Sequence, residues 1–448
     1  MTRFLLIAIT AGLFTAAAYP QDIAAKADEY LKAHEKVNRF MGSVLVAKGG
    51  QVVFEKGYGF ASVELNVPNT PATKFRLGSI TKQFTATAIM QLQEQGKLNV
   101  SDPLCKFIDD CPEAWKPVTV HHLLTHTSGI PSYTSMPDFQ QPKFKRVPLK
   151  PLDIAFLTKD KPLEFQPGEK WNYDNTGYVL LGYIVEKVSG EKYADYLRKH
   201  IFAPLDMNDS GYDDTRTLLP NRAAGYSRGP DGLRNADFLD MSLPHAAGSL
   251  YSTARDLYRW DRALYTEKVL SKKSLAVMFT PVKNDYGYGY MLAPQAGSHK
   301  HIGHGGGIDG FSTMISRFPD DDATVIVLSN VESANAGNIA RGLVSMLFGL
   351  NYEIPVERKE IAVDPAILDR YVGVYKGGPL TITFTVDGGK LFTQVTGQPK
   401  FQVFPYAPDK FFLKVVDATV EFSPAGPGKA TEMTLNQGSA HIVCKRAE

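Results

Sequence analysis

A serine and a lysine three residues apart, Ser79 and Lys82, have the types and spacing that covalent chemistry needs. A strand-like run ends at Leu77, and Gly78 allows a tight turn before a helix that we expect to run from Ser79 to about Gln95. Residues three apart on a helix lie on one face, so a hydroxyl and an amine would meet. A serine hydroxyl is a poor nucleophile until a neighbour takes its proton, and a lysine can do so only where its pKa is lowered.

The Ser-x-x-Lys spacing by itself has low specificity, because it recurs at Ser189 and Lys192. The second copy resembles the end of a helix, and no buried helix follows it. After Ser79, in contrast, apolar residues recur every four positions, which predicts a helix packed in the interior. An ordinary N-cap serine is the alternative for Ser79, so the chemistry depends on what the rest of the chain supplies.

A second polar pair, Tyr173 and Asn175, lies where a loop leads into an apolar helix that we expect to extend to about Val188. Two side chains that are two apart on a tight loop can both point into a cleft. Tyr-x-Asn occurs only here in the chain. The alternative is a simple turn in which Asn175 caps the helix.

The third stretch is rich in glycine, with His304 followed by Gly305, Gly306, Gly307 and Gly310. The glycines match the G-x-G-x-x-G dinucleotide fingerprint, but a strand follows them rather than a helix, so we reject that interpretation. A strand without side chains instead lets a substrate backbone approach and form hydrogen bonds. A glycine-rich loop with an incidental histidine is the alternative.

Three histidines, His121, His122 and His126, suggest a metal site as a further alternative, because the last two are four residues apart. No carboxylate follows at ligand spacing. We expect these histidines instead to lie at a helix end and to position a loop near the site. We therefore expect neither a metal nor any other cofactor.

The charges are balanced and intermixed, with 49 Lys and Arg against 47 Asp and Glu in 448 residues, so no nucleic-acid partner is expected. Residues 1–18 combine one arginine, an apolar run and an alanine-rich end, the pattern of a signal peptide. An uncleaved anchor is the alternative, although the run is short for a membrane span. We expect the mature chain to begin at Tyr19, to lack a membrane span, and to be periplasmic or secreted.

The cysteines fit an oxidising compartment. Cys105 and Cys111 lie six apart in a loop rich in proline and aspartate, where they could form a local disulfide. Cys444 is left over, and its surroundings predict a buried strand residue.

The pattern of elements predicts two folded domains. A helix near the start of the chain and a hairpin around Gly49 and Gly50 indicate an α/β (α+β) domain with an antiparallel sheet, residues 19–350. Residues 351–366 are expected to be a linker. Short alternating runs in residues 367–448 predict a small antiparallel β-barrel or sandwich. This last domain could cover the cleft, bind a ligand in its barrel, or mediate a homo-oligomer.

Three weak motifs now stand in a fixed order along the chain: Ser79-x-x-Lys82, Tyr173-x-Asn175 and His304-x-Gly306. Together they resemble the penicillin-recognising serine hydrolases, which comprise class C β-lactamases, DD-peptidases and their esterase and D-aminopeptidase relatives. The similarity covers roughly residues 30–350. It implies a β-lactamase/transpeptidase-like sheet flanked by helices, with an all-helical subdomain. The C-terminal segment is similar to the lipocalin-like barrel appended to some of these relatives.

By this resemblance, Ser79 would be the acylated nucleophile and Lys82 would take its proton. Tyr173 would pass the proton to the leaving group and then activate water for deacylation. Asn175 would hold Lys82 or the substrate amide.

The resemblance also places His304 and Gly306 on the strand beside the cleft, with the backbone N–H groups of Ser79 and Gly307 as the oxyanion hole. Many members have lysine where this chain has His304. A histidine can be neutral near pH 7, which weakens its hold on a substrate carboxylate. A second departure is Asp174, since serine or alanine is usual there. We hypothesise that Asp174, if it faces the cleft, favours a substrate ammonium.

The sequence therefore predicts a secreted serine hydrolase that acts through an acyl-serine on a small-molecule or peptide substrate. D-amino-acid peptides, amides and esters are the expected substrates. A β-lactamase is the first alternative, and a non-catalytic peptidoglycan- or ligand-binding protein on the same fold is the second.

Overall fold

The computed structural model describes residues 19–139, 141–229, 232–423, 428–437 and 440–447. The predicted signal peptide, residues 1–18, lies outside the described residues. Within the described ranges, no helix combines the length and the apolar character needed to cross a bilayer.

The described chain mixes helices and strands, which confirms the α/β (α+β) prediction. The helices are α1 (Tyr19–Lys36), α2 (Thr81–Glu94), α3 (Val120–Leu124), α4 (Pro151–Ala155), α5 (Asn175–Ser189), α6 (Tyr193–Leu197), α7 (His245–Gly248), α8 (Ala254–Ala263), α9 (Lys272–Met278), α10 (Ala336–Leu347) and α11 (Pro365–Leu368). The strands are β1 (Gly42–Lys48), β2 (Gln51–Tyr58), β3 (Phe60–Ser62), β4 (Val67–Pro68), β5 (Phe75–Arg76), β6 (Gly211–Tyr212), β7 (Tyr226–Gly229), β8 (Gly232–Asn235), β9 (Leu250–Ser252), β10 (Ile302–Ile308), β11 (Phe311–Phe318), β12 (Ala323–Ser329), β13 (Gly373–Gly377), β14 (Leu380–Asp387), β15 (Lys390–Val395), β16 (Phe401–Gln402), β17 (Phe404–Ala407), β18 (Lys410–Phe412), β19 (Ala418–Ser423), β20 (Glu432–Gln437) and β21 (Ala440–Arg446).

The central sheet is antiparallel, with strand order β10-β11-β12-β1-β2. Its middle strands are buried on both faces, since Val44 and Val46 pack with α1 and α10 while Leu45 packs into the core formed with α2 and α5. Successive strand residues point to opposite faces, so a continuous apolar run is what a sheet between two helical layers requires. The hairpin predicted around Gly49 and Gly50 is confirmed by the pairing of β1 with β2.

The second layer is a helical body in which α2 is packed against α5 and α7. Helix α2 is buried along almost its whole length, including the polar side chains of Thr85 and Thr87. The helix predicted to begin at Ser79 begins two residues later, at Thr81, because residues 78–80 form a tighter 3-10 turn. Ser79 therefore lies on a turn in front of the helix, not within it.

The C-terminal domain is a nine-stranded antiparallel sheet whose order runs from β16 to β17 through β13 and β21. The two edge strands follow each other in the chain, separated only by the buried Val403. Edges that are one residue apart require the sheet to curl into a nearly closed barrel, which confirms the predicted barrel. Aromatic side chains fill its interior, among them Tyr375, Phe384, Phe411 and Phe422.

The three cysteines are in two different states in the structure. Cys105 and Cys111 form a disulfide in the loop between α2 and α3. Cys444 is an unpaired, buried residue of β21.

We predict one reactive thiol per mature chain in denaturant without reductant, and three after reduction, measured with a chromogenic thiol reagent. Cys105→Ser should lower the free energy of unfolding by about 2 kcal/mol, because the short covalent loop no longer restricts the unfolded chain. Cys444→Ala is the matched control, which should remove the one free thiol and leave the disulfide intact. Three thiols before reduction would contradict the pairing.

Candidate active site

The amine of Lys82 lies at the centre of the site. Its Nζ is 3.0 Å from Ser79 Oγ, 2.9 Å from Asn175 Oδ1 and 2.9 Å from the carbonyl oxygen of Ala247. These oxygens come from the turn before α2, the first residue of α5 and the short helix α7. Three segments that are distant in sequence therefore converge on one nitrogen atom.

Burial sets the protonation of this amine. The Lys82 side chain is fully buried, and the rings of Tyr173 and Tyr178 lie 4.8 Å and 5.3 Å from its Nζ. Loss of water lowers the pKa of Lys82 to about 7, while the charge of Asp174 opposes the shift. At neutral pH a large fraction of the amine is unprotonated and can accept a proton from the Ser79 hydroxyl, which is partly accessible.

Close backbone contact brings the glycine-rich strand β10 against the Ser79 turn. Gly78 has φ +54° and its backbone lies beside that of Gly307. A methyl group on Gly306 would lie 1.9 Å from the carbonyl oxygen of Leu77, and the Thr313 hydroxyl donates a 2.7 Å hydrogen bond to the same oxygen. Any side chain at position 306 would clash with the Leu77 carbonyl, so this position requires glycine.

Tyr173 stands next to the serine in a wall of aromatic rings. The centroid of its ring is 4.3 Å from that of His126, 6.2 Å from that of His304 and 6.4 Å from that of Tyr286. Burial raises the pKa of Tyr173 well above its ordinary value, although its hydrogen bond with Ser79 opposes the shift. The phenol is therefore protonated at neutral pH and can act as a donor.

Asn175 begins α5 and directs its amide toward Lys82. Its Oδ1 accepts from the lysine, and its Nδ2 donates to Thr134 Oγ1 at 3.3 Å. The residue that caps α5 is Asp174, whose carboxylate accepts from the N–H of Gly177. Asp174 is 1% exposed, so it does not face the cleft and the condition for the hypothesised contact with a substrate ammonium is not met. Its carboxylate satisfies a helix end in the interior.

His304 is buried and neutral. Its Nε2 lies 2.9 Å from the Tyr286 hydroxyl and its Nδ1 lies 2.5 Å from the carbonyl oxygen of Gly305. In this arrangement Nδ1–H donates to the carbonyl, and Nε2 accepts from Tyr286. Burial, together with a smaller effect of the nearby Lys82, lowers the pKa of His304 to about 3. This side chain therefore presents no positive charge to a ligand.

Two further side chains, Tyr286 and His126, line the site; the sequence predicts only that His126 positions a loop near it. Tyr286 lies in a Tyr-Gly-Tyr-Gly-Tyr run, an alternation that could have drawn attention to it. Gly289 in this run has φ +79°, and a methyl group there would lie 2.7 Å from the carbonyl oxygen of Lys82. The run is thus pressed against α2, which brings Tyr286 to His304.

His126 has a left-handed backbone, with φ +57°, and lies beneath Tyr173. Its Nδ1 accepts from the N–H of Asp174 at 3.2 Å. His122 is engaged elsewhere, since its Nδ1 accepts from the N–H of Thr119. Among the described residues, no group of three or more histidine, cysteine or acidic side chains is arranged to hold a metal ion. His126 therefore lies at the site, whereas His122 caps α3.

Comparison with known proteins finds similarity along most of the chain. The beta-lactamase family matches residues 28–344, and a domain of unknown function, DUF3471, matches residues 357–443. The penicillin-binding protein 4* of Bacillus subtilis is 33% identical over 413 residues, which cover 86% of this chain and 90% of that protein.

Two solved structures extend the comparison. An octameric penicillin-binding protein homologue from Pyrococcus abyssi is 30% identical with a TM-score of 0.66, and the match covers 94% of this chain and 99% of that one. The D-amino acid amidase from Ochrobactrum anthropi SV3, in complex with D-phenylalanine, is 26% identical with a TM-score of 0.63 and covers 73% of this chain and 99% of that one.

The packing of β10 predicts opposite outcomes for two adjacent glycines. Gly306→Ala should force the Leu77 carbonyl away and displace Ser79, with about 2–3 kcal/mol lost from the free energy of unfolding and about 100-fold lost from ester hydrolysis. A methyl group on Gly307 meets nothing within 4 Å. The free energy of unfolding of Gly307→Ala should therefore differ from that of the wild type by no more than ~0.5 kcal/mol. Denaturant titration and a chromogenic ester assay measure both. Equal stabilities for the two variants would contradict the contact.

Proposed function

This chain belongs to the β-lactamase family, and from that premise we propose that it is a secreted serine hydrolase that cleaves D-amino-acid amides and peptides through an acyl-serine. The observation that carries the proposal is the buried Lys82 amine, 3.0 Å from Ser79 Oγ with a pKa of about 7. A serine with a neutral amine at hydrogen-bond distance is an activated nucleophile.

In the proposed reaction, Lys82 takes the hydroxyl proton as Ser79 Oγ attacks the substrate carbonyl carbon. The backbone N–H groups of Ser79 and Gly307 would hold the oxyanion, and each such donor contributes about 3–4 kcal/mol to transition-state stabilisation. Tyr173 delivers the proton to the leaving amine, whose bond to the carbonyl carbon breaks. A water molecule then attacks the acyl carbon with Tyr173 as its base, and Ser79 is released with its proton restored.

The neutral state of His304 supports amides and esters over substrates that end in a carboxylate. Its ring is buried, and both ring nitrogens are occupied by Tyr286 and Gly305. An uncharged, engaged imidazole gives little attraction to an anion. The D-amino acid amidase with the same domain fold supports the same substrate class.

Two further proposals concern the whole protein. The signal-peptide pattern of residues 1–18 supports secretion or a periplasmic location. The octameric homologue, which covers almost the whole chain, supports assembly into a homo-oligomer.

We predict that D-phenylalanine amide is hydrolysed at least tenfold faster, as kcat/KM, than its L-isomer, a D-Ala-D-Ala peptide or the chromogenic cephalosporin nitrocefin. Mass spectrometry of protein mixed with an activated ester should detect one acyl group, located on Ser79. Ser79→Ala should abolish turnover and labelling, and Lys82→Ala should abolish acylation. Rapid nitrocefin turnover would favour a β-lactamase, and the absence of any acyl adduct would favour a non-catalytic binding protein.

The pKa of Lys82 predicts the pH dependence of acylation. Below pH 7 the amine is protonated, so the acylation rate should fall about tenfold per pH unit, and above pH 7 it should level off. Release of p-nitrophenolate from an activated ester, followed at its isosbestic wavelength, measures this rate. Lys82→Arg, which keeps a permanent charge, is the control and should be inactive across the range. A midpoint near pH 10, as for an exposed lysine, would exclude Lys82 as a buried base.

A further inference from the structure

A cavity of about 660 Å³ lies outside the active site, between the β-lactamase-like domain and the C-terminal barrel. Three arginines from different segments line it. Arg39 precedes β1, Arg228 lies on β7, and Arg358 belongs to the segment that connects the two domains. The barrel contributes Asp417, immediately before β19.

The arginines have too few carboxylate partners. Arg39 lies 2.5 Å from one oxygen of Asp417, and Arg358 lies 3.7 Å from the other. Arg228 donates to the carbonyl oxygen of Asn38, and no carboxylate pairs with it among the residues that the structure describes. Two of the three guanidinium groups therefore share one carboxylate, and the third has none within ion-pair distance in the described part of the chain.

Two other acidic residues, Glu332 and Glu357, lie in the wall, but so do two lysines, Lys36 and Lys414. Glu332 accepts a 2.7 Å hydrogen bond from the Ser227 hydroxyl. Glu357 forms no ion pair within the described ranges. The basic Lys414, also in the wall, is paired with Glu360 at 2.9 Å. The wall thus carries five cationic side chains against three carboxylates, an excess of positive charge.

The environment makes that excess unfavourable. Burial lowers the pKa of Arg39, and the charges of Arg358 and Arg228 lower it further while Asp417 opposes them. Burial also lowers the pKa of Arg228. His34 in the same wall is kept neutral by burial, and both of its ring nitrogens lack a hydrogen-bond partner. An anion in the cavity would relieve these costs by pairing with guanidinium groups that are already partly desolvated.

We propose that this cavity binds a small phosphate- or carboxylate-bearing anion through Arg39, Arg228 and Arg358, and that the anion links the two domains. Each guanidinium presents a planar fork of N–H donors that matches two oxygens of a phosphate or carboxylate group. The arginines belong to the first domain and the connecting segment, and their existing carboxylate belongs to the barrel. A bound anion would add a second set of contacts at the same boundary. This proposal does not depend on the reaction assigned to Ser79.

Isothermal titration calorimetry of the full mature chain at 150 mM NaCl tests the proposal, with inorganic pyrophosphate and citrate as separate probes. We expect saturable binding of one anion per chain and a higher melting temperature in its presence. Arg228→Gln should weaken binding at least tenfold, and Asp417→Asn should strengthen it, because it removes the competing carboxylate. The tighter of the two probes identifies phosphate or carboxylate as the natural group.

Arg234→Gln is the matched control, since Arg234 lies on the neighbouring strand β8 but does not line the cavity. It should bind the anion as the wild type does. An unchanged rate of ester hydrolysis would show that Arg228→Gln is folded. If Arg228→Gln does not fold, the Arg358→Gln variant is tested in its place. The proposal is overturned if neither probe binds saturably, if Arg228→Gln or its replacement binds as the wild type does, or if Arg234→Gln weakens binding equally.

Discussion

The structure depends on a lysine amine held away from water. One pKa unit corresponds to 1.36 kcal/mol, so a pKa of about 7 makes the charged form of Lys82 roughly 5 kcal/mol less stable than in water. The rest of the first domain must supply that free energy. It does so with two apolar cores on either side of the central sheet, and with a helix α2 that is buried along most of its length.

A backbone contact between β10 and the Ser79 turn explains the glycines of β10. A strand that lies flush against the Ser79 turn leaves no room for a side chain at Gly306, because the Leu77 carbonyl occupies that space. The contact also holds the backbone of Gly307 beside Gly78, at the edge of the sheet. An edge strand offers unpaired backbone groups, and an edge strand of glycines lets another chain approach those groups. The serine turn and the groove beside it are thus positioned by one backbone contact.

The fold class and the grouping of the site residues follow from the resemblance of three motifs, in a fixed order along the chain, to those of the penicillin-recognising serine hydrolases, since each motif alone has low specificity. Ser79 and Lys82 are three residues apart, so turn geometry alone brings them together. Tyr286 could not be predicted in the same way, since its position depends on a loop that packs against α2. For Asp174, in contrast, the sequence suggested a role in the site that the structure does not support. Its charge suggested a ligand contact, whereas its place before Asn175 made it a helix cap.

The interior of the C-terminal domain limits what that domain can do. Phe422 lies with its ring centroid 4.4 Å from that of Tyr371 and 5.0 Å from that of Phe384, and Phe411 and Met433 are buried in the same core. In the part of the barrel that the structure describes, large side chains fill the interior as a hydrophobic core. Of the roles open to this domain, binding inside the barrel is therefore the least compatible with its packing. Its outer surface, where Asp417 meets the arginines of the first domain, is where it can contribute.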